Sequence, residues 1–321
     1  MRAGRVAIGL LVSLTAVGLL VRSIDVGSAW ATLSAVDLRW LLAPLAVVLS
    51  QFAIRTLRWR GLVAAAAGPH LPLQPVAAAL AVGYLGNAIL PARLGEVARI
   101  LYLSRRSNVA LAPATASVVL ERAVDIAGLA TIAGLAAGLA ASGAPAVLLL
   151  VPMVGVGLLG TRVVARRVTA PPTGDATRLA AARRSLVRFL GAIAGASVPA
   201  LVVGYVLSVL AWLGDGVLIW ACATSLGIPL GLPEAMAIGV GAALATLLPS
   251  AGGYVGTYEL GVLTAGSVFG IPAPALLSLA LVAHLMAVVP LALVGAVVVA
   301  RVGLGWRQSA PERRVDAATA A

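Results

Sequence analysis

Lysine is absent from the 321 residues, so all 23 basic side chains are arginine. Schiff-base and lysine-nucleophile chemistry are thereby excluded. Cysteine occurs once, at Cys222, which rules out intrachain disulfides and thiolate metal cages. It lies in an apolar run, where it reads as a small inert hydrophobe. The phosphate-cradling pattern G-x-x-x-x-G-K-[ST] does not occur, so uphill work would draw on an ion gradient or on downstream consumption. No metal-ligand cluster, catalytic nucleophile set or cofactor motif stands out, and no enzymatic activity is expected from the residues alone.

Charge is also scarce, at 11% of positions, while hydrophobic residues fill 61%. That balance excludes an ordinary soluble domain and indicates an all-α integral membrane protein. The net charge of +12 does not point to nucleic acid, because the arginines sit in short clusters flanking apolar runs. There they set topology and meet anionic headgroups.

Taken in order, Arg2 and Arg5 precede a first apolar span at residues 6–21, retained rather than cleaved as a signal. Residues 22–40 form an interfacial connection, and a second span at 41–57 ends in Arg55, Arg58, Trp59 and Arg60, an anchor of the cytoplasmic kind. Residues 73–104 contain two apolar helices broken at Leu90 and Pro91. Each half has about 15 residues, roughly 23 Å, too short to cross about 30 Å of hydrocarbon alone, so a re-entrant hairpin is expected. Spans at 111–141 and 147–161 follow, then a basic cytoplasmic loop at 162–188. An apolar run at 189–226 leads to a second interrupted pair at 234–270, and a last span at 275–300 precedes a flexible tail at 303–321. The arginine distribution places both termini in the cytoplasm of a multi-pass plasma-membrane protein, with about six spans and two hairpins in a domain covering residues 1–302.

The hairpins are comparable. The first carries L-P-x-R-x-G-E at residues 90–96 and the second L-P-x-x-G-G at 248–253, reaching an acid at Glu259. The arginine count opens the first inward and the second outward, the organisation of an inverted repeat with halves near residues 41–141 and 189–302. Two short broken segments meeting near the midplane form a binding site in such folds. Pro91 and Pro249 make the breaks, and Gly95, Gly252, Gly253 and Gly256 remove side chains where backbone must approach closely. Each new half-helix presents N–H groups and a positive dipole end, suited to phosphate or carboxylate.

Ionisable residues at membrane depth are expensive and mark functional sites. Asn87, Arg93, Glu96 and Arg99 lie at the first hairpin, with the arginines suited to bidentate phosphate contact. Glu96 and Glu259 could receive a cationic headgroup, hold arginines or take a proton. Glu121 and Asp125 share one helical face at i, i+4, flanked by Arg122, and need cationic partners, for which Arg93 or Arg99 is expected. Asp215 and His284 are isolated in their spans and read as packed or water-facing, with a proton relay as the alternative. Trp30, Trp40, Trp59 and Trp306 read as aromatic belt.

The series N-x-x-L-P-A-R-x-G-E-x-x-R at residues 87–99, E-R-x-x-D at 121–125 and P-S-A-G-G-Y-V-G-T-Y-E at 249–259 resembles the lysylphosphatidylglycerol synthase transmembrane-region family, also described as flippase-like. The resemblance extends over about residues 6–301. It departs where a second proline often seen in the third motif is replaced by glycine, around Ala251 and Gly252. It implies movement of a lipid or lipid-linked polar headgroup between leaflets. It also implies a soluble aminoacyl-transferase domain in bifunctional relatives, which is expected to be absent here because about 20 residues follow the last span. The partner is then a membrane lipid with a charged headgroup. An ion-coupled transporter of a small polar solute would use the same hairpins, and an accessory subunit of a synthase or glycosyltransferase system is a further alternative.

Overall fold

The computed structural model describes residues 11, 13–18, 26–34, 39–68, 71–91, 93–139, 178–248 and 250–308. The expected spans at 6–21 and 147–161 and Pro249 lie wholly or mostly outside these residues. The described elements are helical: α1 (Val26–Ser34), α2 (Leu42–Ala67), α3 (Leu73–Ile89), α4 (Leu94–Arg106), α5 (Leu111–Leu139), α6 (Arg178–Gly195), α7 (Val198–Ser225), α8 (Leu232–Ala245), α9 (Thr257–Ser267) and α10 (Ala273–Gln308), with a 3-10 turn at Gly252–Tyr254 before α9. This is a helical membrane protein fold. α7 and α10 are long and apolar enough to cross a membrane by length and composition.

The order long helix, short hairpin, long helix occurs twice, as α2, α3–α4, α5 and as α7, α8–α9, α10. The halves exchange partners. α3 packs on α10 and α8 on α5, while α2 and α7 run against each other between them. Glycines set the hairpin spacing. A Cβ on Gly95 would stand 2.1 Å from the Gly83 carbonyl oxygen, and one on Gly261 would stand 2.7 Å from that of Gly241. Val48, Leu218, Ile238, Val262 and Leu279 form one apolar core beneath the second hairpin, and Trp59, Val63, Leu80 and Leu103 another beneath the first.

Four expectations are corrected. The second span does not stop at Leu57 but continues as α2 to Ala67, so Arg55, Arg58 and Trp59 lie inside a helix rather than at its interfacial end. Acids on neighbouring helices, the buried Glu121 and the half-buried Asp215, neutralise the two arginines, so charge does not terminate the helix there. The apolar run at 189–226 is two helices, because Ser197 accepts a bond from the Ala200 N–H and caps α7 ahead of Pro199. Part of the basic loop, from Arg178, is the first half of α6, whose Arg183 and Arg188 lie on an exposed side. The last helix continues to Gln308, into the segment expected as tail.

Candidate functional site

The site begins on α2, where Gln51, Arg55 and Arg58 recur at i, i+4 and i+7 and so share one face. Opposite them α7 presents Ser208, Trp212 and Asp215, and α5 presents Ser117, Glu121 and Asp125. Gln51 Nε2 donates to Asp215 Oδ1 at 2.9 Å, and Arg55 Nη2 donates to Asp215 Oδ2 at 2.8 Å. Arg58 is enclosed, with 2% of its surface exposed. It donates to Glu121 at 2.6 Å, to the Ser208 hydroxyl at 2.9 Å and to Asp125.

Glu121 accepts a second cation, Arg99 from α4, at 2.7 Å. The Arg99 guanidinium lies 4.7 Å from the centroid of Trp59, whose indole N–H donates to the Ser117 hydroxyl at 3.1 Å. Asp125 is shared in turn by Arg58 and Arg122, and Arg122 reaches Glu96 at 2.9 Å. A continuous alternation of charge thus runs Glu96, Arg122, Asp125, Arg58, Glu121, Arg99. It spans three helices, α2, α4 and α5. Buried charges persist only with partners, and here each carboxylate meets at least one guanidinium.

The hairpin tips close one side of this network. Arg93 precedes the first turn of α4 in the left-handed region, at φ 55°. Its guanidinium donates to the Thr246 carbonyl at 2.8 Å and lies 5.5 Å from the ring centroid of Tyr254, which is also left-handed. Arg93 makes no ion pair among the described residues. Gly252 sits so near the first tip that a Cβ would stand 2.5 Å from the Ile89 carbonyl oxygen. Behind the second tip, His284 contacts both Glu259 and the Gly253 carbonyl.

Two adjoining cavities result. The larger, about 290 Å³, is walled by Arg58, Arg93, Glu96, Arg99, Glu121 and Arg122 among others. Five arginines and three carboxylates line it, counting Arg55 and Asp125. The smaller, about 200 Å³, is bounded by Asp215, Tyr258 and His284 and by an apolar wall of Leu218, Val288 and Leu291. Arg55, Tyr84, Asn87, Trp212, Thr246 and Tyr254 border both.

Of the residues singled out from sequence, Asn87, Arg93, Glu96, Arg99, Glu121, Arg122 and Asp125 surround the larger cavity. Glu259 stands apart with His284, and its Oε2 accepts from the Gly256 N–H at 2.7 Å, so it caps its own helix. Arg99 does pair with Glu121, but Arg93 pairs with neither Glu121, Asp125 nor Glu96, because the left-handed turn directs it to the other hairpin. Asp215 and His284 are not isolated, since side chains from other helices meet them. Trp59 is fully buried rather than interfacial, while Trp30 and Trp40 are exposed and Trp306 carries no described side chain. Sequence reading missed Gln51, Arg55, Arg58, Tyr84, Trp212, Thr246 and Tyr254 as cavity residues. Only the helical spacing of Gln51, Arg55 and Arg58 offered a signal.

The family model described as Lysylphosphatidylglycerol synthase TM region matches residues 6–295. No curated protein matches the chain.

Proposed function

The chain belongs to the Lysylphosphatidylglycerol synthase TM region family, and from that premise we propose that it is a flippase-like translocase carrying an anionic lipid headgroup between leaflets. One observation carries this reading. Arg93, which makes no ion pair among the described residues, stands at the junction of two hairpin tips beside a cavity whose other arginines each meet a carboxylate.

A phosphate entering the larger cavity would meet the Arg93 fork in bidentate fashion. The Arg122–Glu96 pair would yield most readily to it, because Arg122 keeps 42% of its side chain exposed, whereas the Arg58 and Arg99 pairs are almost wholly enclosed. Glu96 thus holds Arg122 until a lipid phosphate replaces its carboxylate. Arg58, Glu121 and Arg99 are the frame against which that exchange happens. The acyl or prenyl tails would stay in lipid while re-entrant hairpins rock to present the cavity to either leaflet.

The test is leaflet exposure in reconstituted vesicles, with aminoacylated, phospho-glycolipid and polyprenyl-linked probes. Wild type should accelerate at least one probe over protein-free vesicles, and Arg93→Ala should slow it by roughly tenfold, the loss of one charge-assisted contact. Equal rates with and without protein, or an Arg93→Ala variant as fast as wild type, would overturn this assignment. Uptake of a small polar solute into vesicles lacking those lipids would favour the solute-transporter alternative.

A further inference from the structure

Four groups converge behind the tip of the second hairpin. His284 on α10 places Nε2 2.6 Å from the Gly253 carbonyl oxygen and Nδ1 2.5 Å from Glu259 Oε1. Its ring stacks on Tyr258 at 4.5 Å between centroids. The other Glu259 oxygen is occupied by the Gly256 N–H. Both His284 and Glu259 are buried.

Hydrogen-bond valence counts the protons here. A carbonyl oxygen only accepts, so Nε2 must carry hydrogen. A neutral imidazole would then aim its bare Nδ1 lone pair at a carboxylate oxygen, which is repulsive at contact distance. The contact is attractive only with a further hydrogen between Nδ1 and Oε1, bonded to either atom. The observed arrangement therefore holds one proton more than a neutral histidine beside a carboxylate. We infer that Glu259 and His284 form a proton-binding latch on the second hairpin, and that loss of its proton frees Gly253 and loosens the contact between the two tips.

The mechanical link is short. Without the shared proton, His284 can donate to Glu259 or to Gly253, not to both. Gly253 lies between Gly252, seated against Ile89, and Tyr254, stacked on Arg93. Releasing its carbonyl therefore releases both tip-to-tip contacts. The cavity that His284 borders is also lined by Tyr258 on α9, Asp215 on α7, Gln51 and Arg55 on α2, Tyr84 and Asn87 on α3 and Tyr254 at the tip, and Cys222 on α7 packs in the same core as Tyr258. Asp215 and Arg55 satisfy each other at 2.8 Å. Glu259 and His284 are thus the pair whose proton count can change, and loss of the proton leaves the buried Glu259 carboxylate facing a neutral imidazole, with the Gly256 N–H as its remaining fixed donor. His284 borders the smaller cavity, which gives the proton a route.

The latch rests on the translocation reading only for its purpose, so it is tested without lipid substrate. The chain contains two histidines, and His70→Gln leaves the His284 ring alone in ¹⁵N-histidine spectra of the full chain in lipid nanodiscs. Amide hydrogen exchange over residues 250–256, corrected for the intrinsic rate, is followed in parallel from about pH 5 to about pH 10. Both ring nitrogens should report hydrogen while the tip is protected. A single transition to one bare nitrogen should coincide with roughly tenfold faster tip exchange, the scale of one lost hydrogen bond. His284→Gln keeps a donor for Gly253 but cannot titrate, and its exchange profile should be flat. A bare ring nitrogen in wild type while the tip is protected, or tip exchange with no step, would overturn the latch. Neither result bears on whether lipid moves, which the leaflet assay reports separately.

Discussion

Arg93 and Tyr254 meet as two left-handed residues, one from each hairpin tip, with the guanidinium 5.5 Å from the ring centroid. Backbone in that region is costly for a residue with a side chain, by about 1 kcal/mol or more, and persists where the surroundings impose it. Arg93→Gly separates strain from chemistry. The variant should match or exceed wild type in thermal stability and still lose roughly tenfold in lipid movement, because glycine accepts the turn but brings no cation. A variant that is stable and fully active would remove Arg93 from the site.

Arg58 is the centre of the buried charge network, and its removal leaves Glu121 with Arg99 alone and Asp125 with only the longer Arg122 contact at 3.7 Å. Arg58→Ala should cost about 3 kcal/mol in unfolding, and Arg58→Lys should recover little, since an ammonium cannot reach three acceptors in fork geometry. Adding Glu121→Gln and Asp125→Asn to Arg58→Ala should restore part of the loss. Thermal unfolding in one detergent across this set decides whether the cost is unpaired charge.

Glu96→Gln tests the exchangeable pair. It leaves Arg122 to Asp125 alone, at 3.7 Å, and removes the carboxylate that competes with phosphate. Binding of an anionic lipid should tighten severalfold while release slows, so turnover falls although affinity rises. Lipid binding by tryptophan fluorescence, beside the leaflet assay, separates the two effects. Weaker binding in this variant would place Glu96 in contact with a cationic headgroup instead.

Glycine spacing gives a paired prediction. Gly95→Ala forces a methyl to 2.1 Å from the Gly83 carbonyl oxygen and should cost about 2 kcal/mol by prising α3 from α4. Gly191→Ala on α6 meets nothing within 4 Å and should be neutral or stabilising by up to about 1 kcal/mol. Unfolding of the two variants side by side provides its own control.

The hairpins were legible in the chain because their signal is local. Pro91 after a short apolar segment and glycines at 252, 253 and 256 announce a break whatever surrounds them. The charge network was legible by half. Glu121 and Asp125 advertised their need for cations through the i, i+4 spacing, but the principal cation, Arg58, lies 63 residues earlier, at the end of an apolar run. An arginine there has the same local signature whether it snorkels to headgroups or turns inward to a carboxylate. Only the packing of α2 between α5 and α7 distinguishes the two. Arg93 shows the converse. Its importance was visible from sequence, but its partner was not, because a single left-handed residue redirects the side chain to the other half of the molecule.

That exchange of partners also orders the life of the chain as it is made. The first hairpin emerges early, yet the helix that seats α3 is α10, the last described element to be synthesised. A Cβ on Gly295 would stand 2.3 Å from the Ala81 carbonyl oxygen, so the two helices close on each other with almost no tolerance. Until α10 arrives, the face of α3 that it covers lacks its mate. A ribosome that stalls before residue 273 therefore releases a chain whose first hairpin keeps α2 and α5 to pack on but lacks the helix that seats α3.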